Sequence, residues 1–156
     1  YDLNAIEIVS QPAGVEMQVR VGGLAGGLPA RMDRVRALCG AGEVIAGDVE
    51  AALWDEAREL TWAGGLPVVR VPITPSRIAE LDTMLGDIQR RYSAGGNVAW
   101  IAASDLSSID ATLKQVNLQG LVLLNAPAGD PRLGVWQSNP FADRVKRALD
   151  PLNKFG

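Results

Sequence analysis

The side chains with chemical potential in this chain are two arginines in strand-like stretches, a glycine-rich segment, four tryptophans, a helical run of carboxylates and one cysteine. Arg20 and Arg70 each sit within an apolar, strand-like stretch. A buried or half-buried arginine needs an anionic partner, so each reads as a clamp on an anionic ligand, or else as part of an exposed strand face or a structural ion pair. Gly22-Gly23 and Gly26-Gly27 follow a strand pattern and precede a helical one, the place where backbone N–H groups can cradle phosphate. The spacing matches neither the dinucleotide fingerprint nor the P-loop, and reads as a flexible connection. Trp54, Trp62 and Trp100 read as core filling, whereas Trp136 lies in an aperiodic region and could wall a pocket. Asp48, Asp55, Glu56 and Glu59 run along one helix with Arg58 among them. That pattern is a solvated face more than an acid/base pair. Asp105 and Asp130 have no partner visible in the sequence. Cys39 closes an apolar helical face and reads as a small core hydrophobe.

Several reaction classes are excluded by composition. Histidine is absent, so Ser-His-Asp triads, Cys-His dyads and His-ligated zinc or haem have no material. With a single cysteine there is no intramolecular disulfide, iron–sulfur cluster or CxxC redox pair within the chain. A lone thiol fits a reducing, cytoplasmic setting. A net charge of −3 disfavours broad electrostatic binding to nucleic acid. The 156 residues suit one domain with a substantial core. No apolar run approaches the length of a membrane span, and no signal-peptide pattern is visible at the start.

The elements that must position these residues follow from periodicity. Leu3 to Val9 and Val15 to Val21 form an antiparallel hairpin about Gln11-Pro12-Ala13-Gly14. A helix opens near Pro29, carries Met32, Val35, Leu38 and Cys39 inward, and stops at Gly40. Glu43 to Ala46 is a candidate short strand, and Asp48 a candidate N-cap for a second helix that ends before Gly64-Gly65. Leu66 to Ile73 is a strand whose two prolines place it at a sheet edge or fray its ends. A third helix runs from Thr74-Pro75-Ser76 to a last turn holding Arg90-Arg91. Val98 to Ala103 is a strand, Ser107 or Ser108 caps a short helix, and Gly120 to Leu124 is a further strand. Asn125 to Asn139 reads as a long loop, and Phe141 to Leu149 as a final helix with Phe141, Val145, Ala148 and Leu149 inward, broken at Asp150-Pro151. The sum is α+β: a ferredoxin-like antiparallel or mixed sheet with helices mainly on one face, a doubly wound parallel sheet being the runner-up.

The closing stretch, Phe141 through Asp150-Pro151 to Phe155-Gly156, resembles the end of FAD-linked oxidases: a basic amphipathic helix, then Asp-Pro, three residues and Phe. Gly156 stands where that family usually has Asn. Leu53-Trp54 with Arg58, the strand Leu66-Pro67-Val68-Val69-Arg70-Val71-Pro72, and Val98-Ala99-Trp100 resemble further family segments in the same order. The likeness covers most of the chain from about Val15, and is nearest to the FAD-binding E subunit of the glycolate oxidase type. It implies that residues 1–156 are a single C-terminal cap domain, with FAD bound mainly by an N-terminal domain outside this chain. It further implies oxidation of a small 2-hydroxy acid to a 2-oxo acid, in an accessory flavin subunit passing electrons to an iron–sulfur partner subunit. The setting implied is cytoplasmic, peripheral on the inner membrane through the partner subunits. By this likeness Arg70 and Trp100 face cofactor or substrate, while Asp150, Pro151 and Phe155 dock the cap on the FAD domain. The competing reading is a non-catalytic ferredoxin-like ligand-binding or regulatory module.

Overall fold

The computed structural model describes residues 3–11, 14–137, 140–152 and 154. The predicted hairpin forms from β1 (Leu3–Gln11) and β2 (Gly14–Val21), paired antiparallel with Ile8 opposite Met17 and Glu7 opposite Gln18. Two helices follow, α1 (Leu28–Cys39) and α2 (Asp48–Glu59). Then come β3 (Val68–Pro72), α3 (Ile78–Leu85), β4 (Arg90–Ser93), β5 (Val98–Ala102), α4 (Leu106–Gln115), β6 (Gln119–Leu124), β7 (Arg132–Gly134) and α5 (Pro140–Leu149).

Among the described residues the strands make one seven-stranded sheet in the order β2-β1-β4-β5-β3-β6-β7. Every pairing is antiparallel, so the doubly wound alternative does not hold. The segment β3-α3-β4-β5-α4-β6, with its strands side by side as β4-β5-β3-β6, is the split βαβ arrangement of ferredoxin-like folds. The opening hairpin extends this unit beside β4, and β7 extends it beside β6.

Period-two alternation decides which face each side chain joins. Val69 and Val71 of β3, Tyr92 of β4, Ala99 and Ile101 of β5 and Val122 of β6 form the main core with Leu81 and Leu85 of α3 and Ile109 and Leu113 of α4. A second, smaller cluster joins Val68 and Ala102 to Trp62 and Ala63, with Leu60 and Trp100 against it. Trp62 and Ala63 belong to the 3-10 turn (Thr61–Ala63) that ends α2. α3 and α4 therefore cover one face, while α2 lies over part of the other.

Arg90 locks α3 to the sheet. Its guanidinium donates to the Gly86 and Ile88 carbonyls at 2.7 and 2.6 Å, and pairs with Asp82. Tyr92 donates its hydroxyl to the same Asp82 carboxylate at 3.1 Å. The Arg90 hydrogen bond holds the Asp82 carboxyl below its usual range, and burial pushes the Tyr92 hydroxyl upward.

Several sequence expectations are corrected. Glu43 to Ala46 forms no strand. β3 lies between β5 and β6 rather than at an edge, and the other reading of its prolines holds, since Pro67 precedes the strand and Pro72 closes it. α3 ends at Leu85, and Arg90-Arg91 are the first residues of β4 instead of a last helical turn. Gly47 takes the cap position expected of Asp48, and Asp105, not Ser107 or Ser108, caps α4 by accepting from both of their backbone N–H groups. The expected loop after β6 contains β7. α1 buries none of its residues: Leu38 is 72% exposed, and Cys39 is an exposed thiol rather than core. Phe141, Val145 and Leu149 of α5 are exposed, not inward.

Candidate functional site

The sparsely covered face of the sheet holds the site. Between α2 and the strands lies an open groove of about 400 Å³ lined chiefly by Glu7, Arg20, Trp54, Trp62, Arg91 and Trp100. Each strand lends the residues that alternation turns toward this face. β1 contributes Ala5 and Glu7, β2 contributes Arg20, β4 contributes Arg91 and Ser93, and β5 contributes Trp100. α2 supplies the outer wall with Trp54, Asp55 and Arg58.

Arg91 is the centre of the arrangement. It is only 8% exposed, with its guanidinium 5.2 Å from the Trp62 ring centroid and paired through Nη2 to Glu56 of α2. Its Nη1 is buried and has no hydrogen-bond partner among the described residues, and the same holds for Trp62 Nε1. Two buried N–H donors without acceptors are costly, on the order of 1–3 kcal/mol each, and a ligand oxygen would relieve that cost. Arg20 forms a second cation–aromatic pair, 5.6 Å from the Trp54 ring centroid, and an ion pair with Glu50 at 2.7 Å. Trp100 donates from Nε1 to Ser93 Oγ at 2.7 Å, which fixes its indole across the groove floor.

Glu7 is the perturbed acid of the groove. Burial pushes its carboxyl up to about 7, and the nearby Arg91 charge opposes that rise only in part. At neutral pH it is therefore divided between an acceptor-only carboxylate and a neutral acid that can also donate.

The structure places the sequence-predicted residues unevenly. Arg70 and Trp100 are directly opposite in the β3–β5 register, on the same face. Trp100 lines the groove, while Arg70 stands exposed beside it. Arg20 also joins the groove, in a structural ion pair. Of the tryptophans expected in the core, only Trp62 is buried, and Trp54 and Trp100 are groove walls. Trp136 is exposed, its Nε1 donating to the Leu133 carbonyl at 2.9 Å. Asp55 and Glu59 hold Arg58 in an exposed ion-pair cluster at 3.0 and 2.9 Å, the solvated face expected of them. Asp130 is paired with Arg132 at 2.7 Å. At the chain end, Asp150 accepts a hydrogen bond from the Lys154 backbone at 2.7 Å, and Pro151 enters a turn. Phe155 lies outside the described residues.

Glu7 and Arg91 escaped the sequence reading. Glu7 carried a signal, a carboxylate on the same alternating face as Ala5 and Val9. Arg91 was hidden because Arg90-Arg91 after an amphipathic stretch imitates a helix end.

Among the described residues, no group of His, Cys, Asp or Glu could hold a metal ion, and no helix is long and apolar enough to cross a membrane. No protein-family model, curated protein or solved structure matches the chain.

Proposed function

We propose that this domain is the cap of an FAD-dependent oxidoreductase of the glycolate oxidase type, its sparsely covered sheet face laid over the flavin and a small 2-hydroxy acid. The observation that carries the reading is the groove itself: indole planes, a buried guanidinium with a donor to spare and a half-neutral carboxyl, all turned toward one sheet face. The motif resemblance at Arg70, Trp100 and Asp150-Pro151 points the same way.

The residues fit such a group in kind. An indole offers a stacking surface for a flat ring system, and Arg91 Nη1 and Trp62 Nε1 offer N–H donors to carbonyl or carboxylate oxygens. FAD, when bound, supplies the acceptor for the two electrons lost as a hydroxyl carbon becomes a carbonyl. The chain's own contribution is to bind, orient and shield. Arg70, exposed and level with Trp100, is placed to attract an anionic substrate or flavin edge. Arg91 orients an oxygen at the groove floor. Glu7 can hold a proton near that oxygen at neutral pH. The larger part of FAD would be held by a separate N-terminal domain, against which the exposed Phe141, Leu149 and Leu152 of the α5 region, with Asp150 and Pro151, would dock. The accessory role, with electrons leaving to an iron–sulfur partner subunit, completes the proposal.

The test is the visible absorbance of the protein purified from the complete natural reading frame, beside the 156-residue chain. Flavin in the long form and none in the short one is the expected result. A colourless long form that FAD cannot reconstitute overturns the proposal in favour of a ferredoxin-like ligand-binding module.

A further inference from the structure

The undefended edge of the sheet is β2. It is the terminal strand in the sheet order, and among the described residues it pairs with β1 alone. An edge strand presents a row of backbone N–H and C=O groups that can pair with another chain, and proteins blunt such edges with prolines, lysines, bulges or very short strands. β7, at the opposite edge, is three residues long and follows Pro131. β2 is eight residues long and contains neither Pro nor Lys. The irregularity in its pairing with β1 lies at the Leu3/Ala5 end, away from its middle. Val15 and Met17 on this strand are 68% and 51% exposed.

The sequence of β2 is also complementary to itself. Val15-Glu16-Met17-Gln18-Val19-Arg20-Val21 reads nearly the same outward in both directions from Gln18, except that an acid on one side answers a base on the other. Let two copies pair antiparallel about a two-fold axis at Gln18. Glu16 then lies opposite Arg20 of the second copy, twice, while Met17 meets Val19 and Val15 meets Val21. Opposite charges and apolar pairs directly across strands each contribute, roughly 0.2–1 kcal/mol apiece. A register centred one residue away on either side loses both ion pairs. Glu16 currently accepts from Gln18 at 2.8 Å on its own strand, and Arg20 uses Nε toward Glu50, so the rest of the guanidinium fork can serve a second carboxylate.

The geometry points to a symmetric homodimer in which β2 pairs with β2 of a second copy about Gln18, joining two sheets into one continuous sheet. Such an interface is isologous and closes on itself. Because Arg20 lines the groove, Glu16 of the second copy becomes its neighbour, and each copy then supplies a charge to the margin of the other's site.

The experiment uses single cysteines placed in a Cys39→Ser background, since Cys39 is exposed and would cross-link by itself. Gln18→Cys puts two thiols on the axis, within the roughly 4.4–6.8 Å Cα separation a disulfide accepts. Glu16→Cys places its own two copies about 13 Å apart along the strands, out of reach. Mild oxidation should convert Gln18→Cys largely to a covalent dimer and leave Glu16→Cys monomeric. A mixture of Glu16→Cys and Arg20→Cys should form the heterodimeric link. Sedimentation of the unmodified chain should show a reversible dimer. Glu16→Arg or Arg20→Glu should weaken it at least tenfold, and the double swap should restore it. A strictly monomeric chain, or equal cross-linking of Gln18→Cys and Glu16→Cys, overturns the proposal.

Discussion

Glu7 shows at the scale of one residue how the groove is built at a cost to stability. Its carboxyl ionises near 4.5 in the unfolded chain and near 7 in the folded one, so the folded state holds the proton across the interval between. Folding stability contributed by this group is complete below about 4.5 and is lost as pH rises through about 7. Arg20 from β2, Arg91 from β4, and Asp55 and Arg58 from α2 line the same groove, and the neighbouring Arg91 is the cation that limits the shift. Glu7→Gln should therefore flatten the dependence of Tm on pH between 5 and 8, and stabilise the protein at pH 8 by about 1–2 kcal/mol after allowance for solvent screening. Thermal melts of both proteins across that range check it, and parallel curves would refute the burial argument. Legibility at this scale was mixed. Residue type and strand pattern single out Arg20 and Arg70, whereas Trp100 reads as core filling from its type and faces a ligand only by the family likeness; all three reach the same face. Glu7 and Arg91 are not singled out, because a raised carboxyl or a half-satisfied guanidinium is a property of neighbours distant in sequence, such as Glu56 beside Arg91 across 35 positions.

Among the elements, strands announced themselves better than helix packing. Alternation from Val15 to Val21 and the apolar runs at β3, β5 and β6 match the observed strands closely, because period two is a local property of the chain. β7 was missed for a local reason too: three residues are too few to show a period. What holds β7 is instead Gly134. Its φ of +77° is a left-handed conformation, its N–H donates to Asp110 at 2.8 Å, and an added Cβ would stand 2.2 Å from the Leu118 carbonyl oxygen. Gly134→Ala should cost about 2–4 kcal/mol, read by denaturant unfolding, with early loss of amide protection along β6 and β7. A change under 0.5 kcal/mol would show that β7 adds nothing to the sheet. α1 illustrates the opposite error. Gly40 ends it as expected, in a left-handed conformation with φ of 76°, yet its apolar side meets no core. Helical spacing creates a face but does not supply the surface to bury it.

For the whole molecule, the decisive feature is the asymmetry of the two sheet faces. α3 and α4 close one of them around the main core, and the other keeps an exposed Arg70 and an open groove walled on its outer side by α2. In the intact protein, Arg70→Ala should leave the melting temperature within a few degrees of the parent, because the side chain is exposed. On the proposed cap reading it should at the same time lower flavin retention or turnover with a 2-hydroxy acid severalfold. Flavin content and activity equal to the parent would remove Arg70 from the site. By itself the sequence determined the α+β class, the hairpin, most of the strands, the absence of histidine chemistry and the arginines and tryptophans worth watching, since composition and short-range period are carried by neighbours along the chain. Only the tertiary structure decided that β3 is central, that Arg90 is a structural lock while Arg91 lies in the groove, and that Glu7 titrates near neutrality. Each of those depends on which distant strands lie side by side, and that pairing sets burial, partner and charge together.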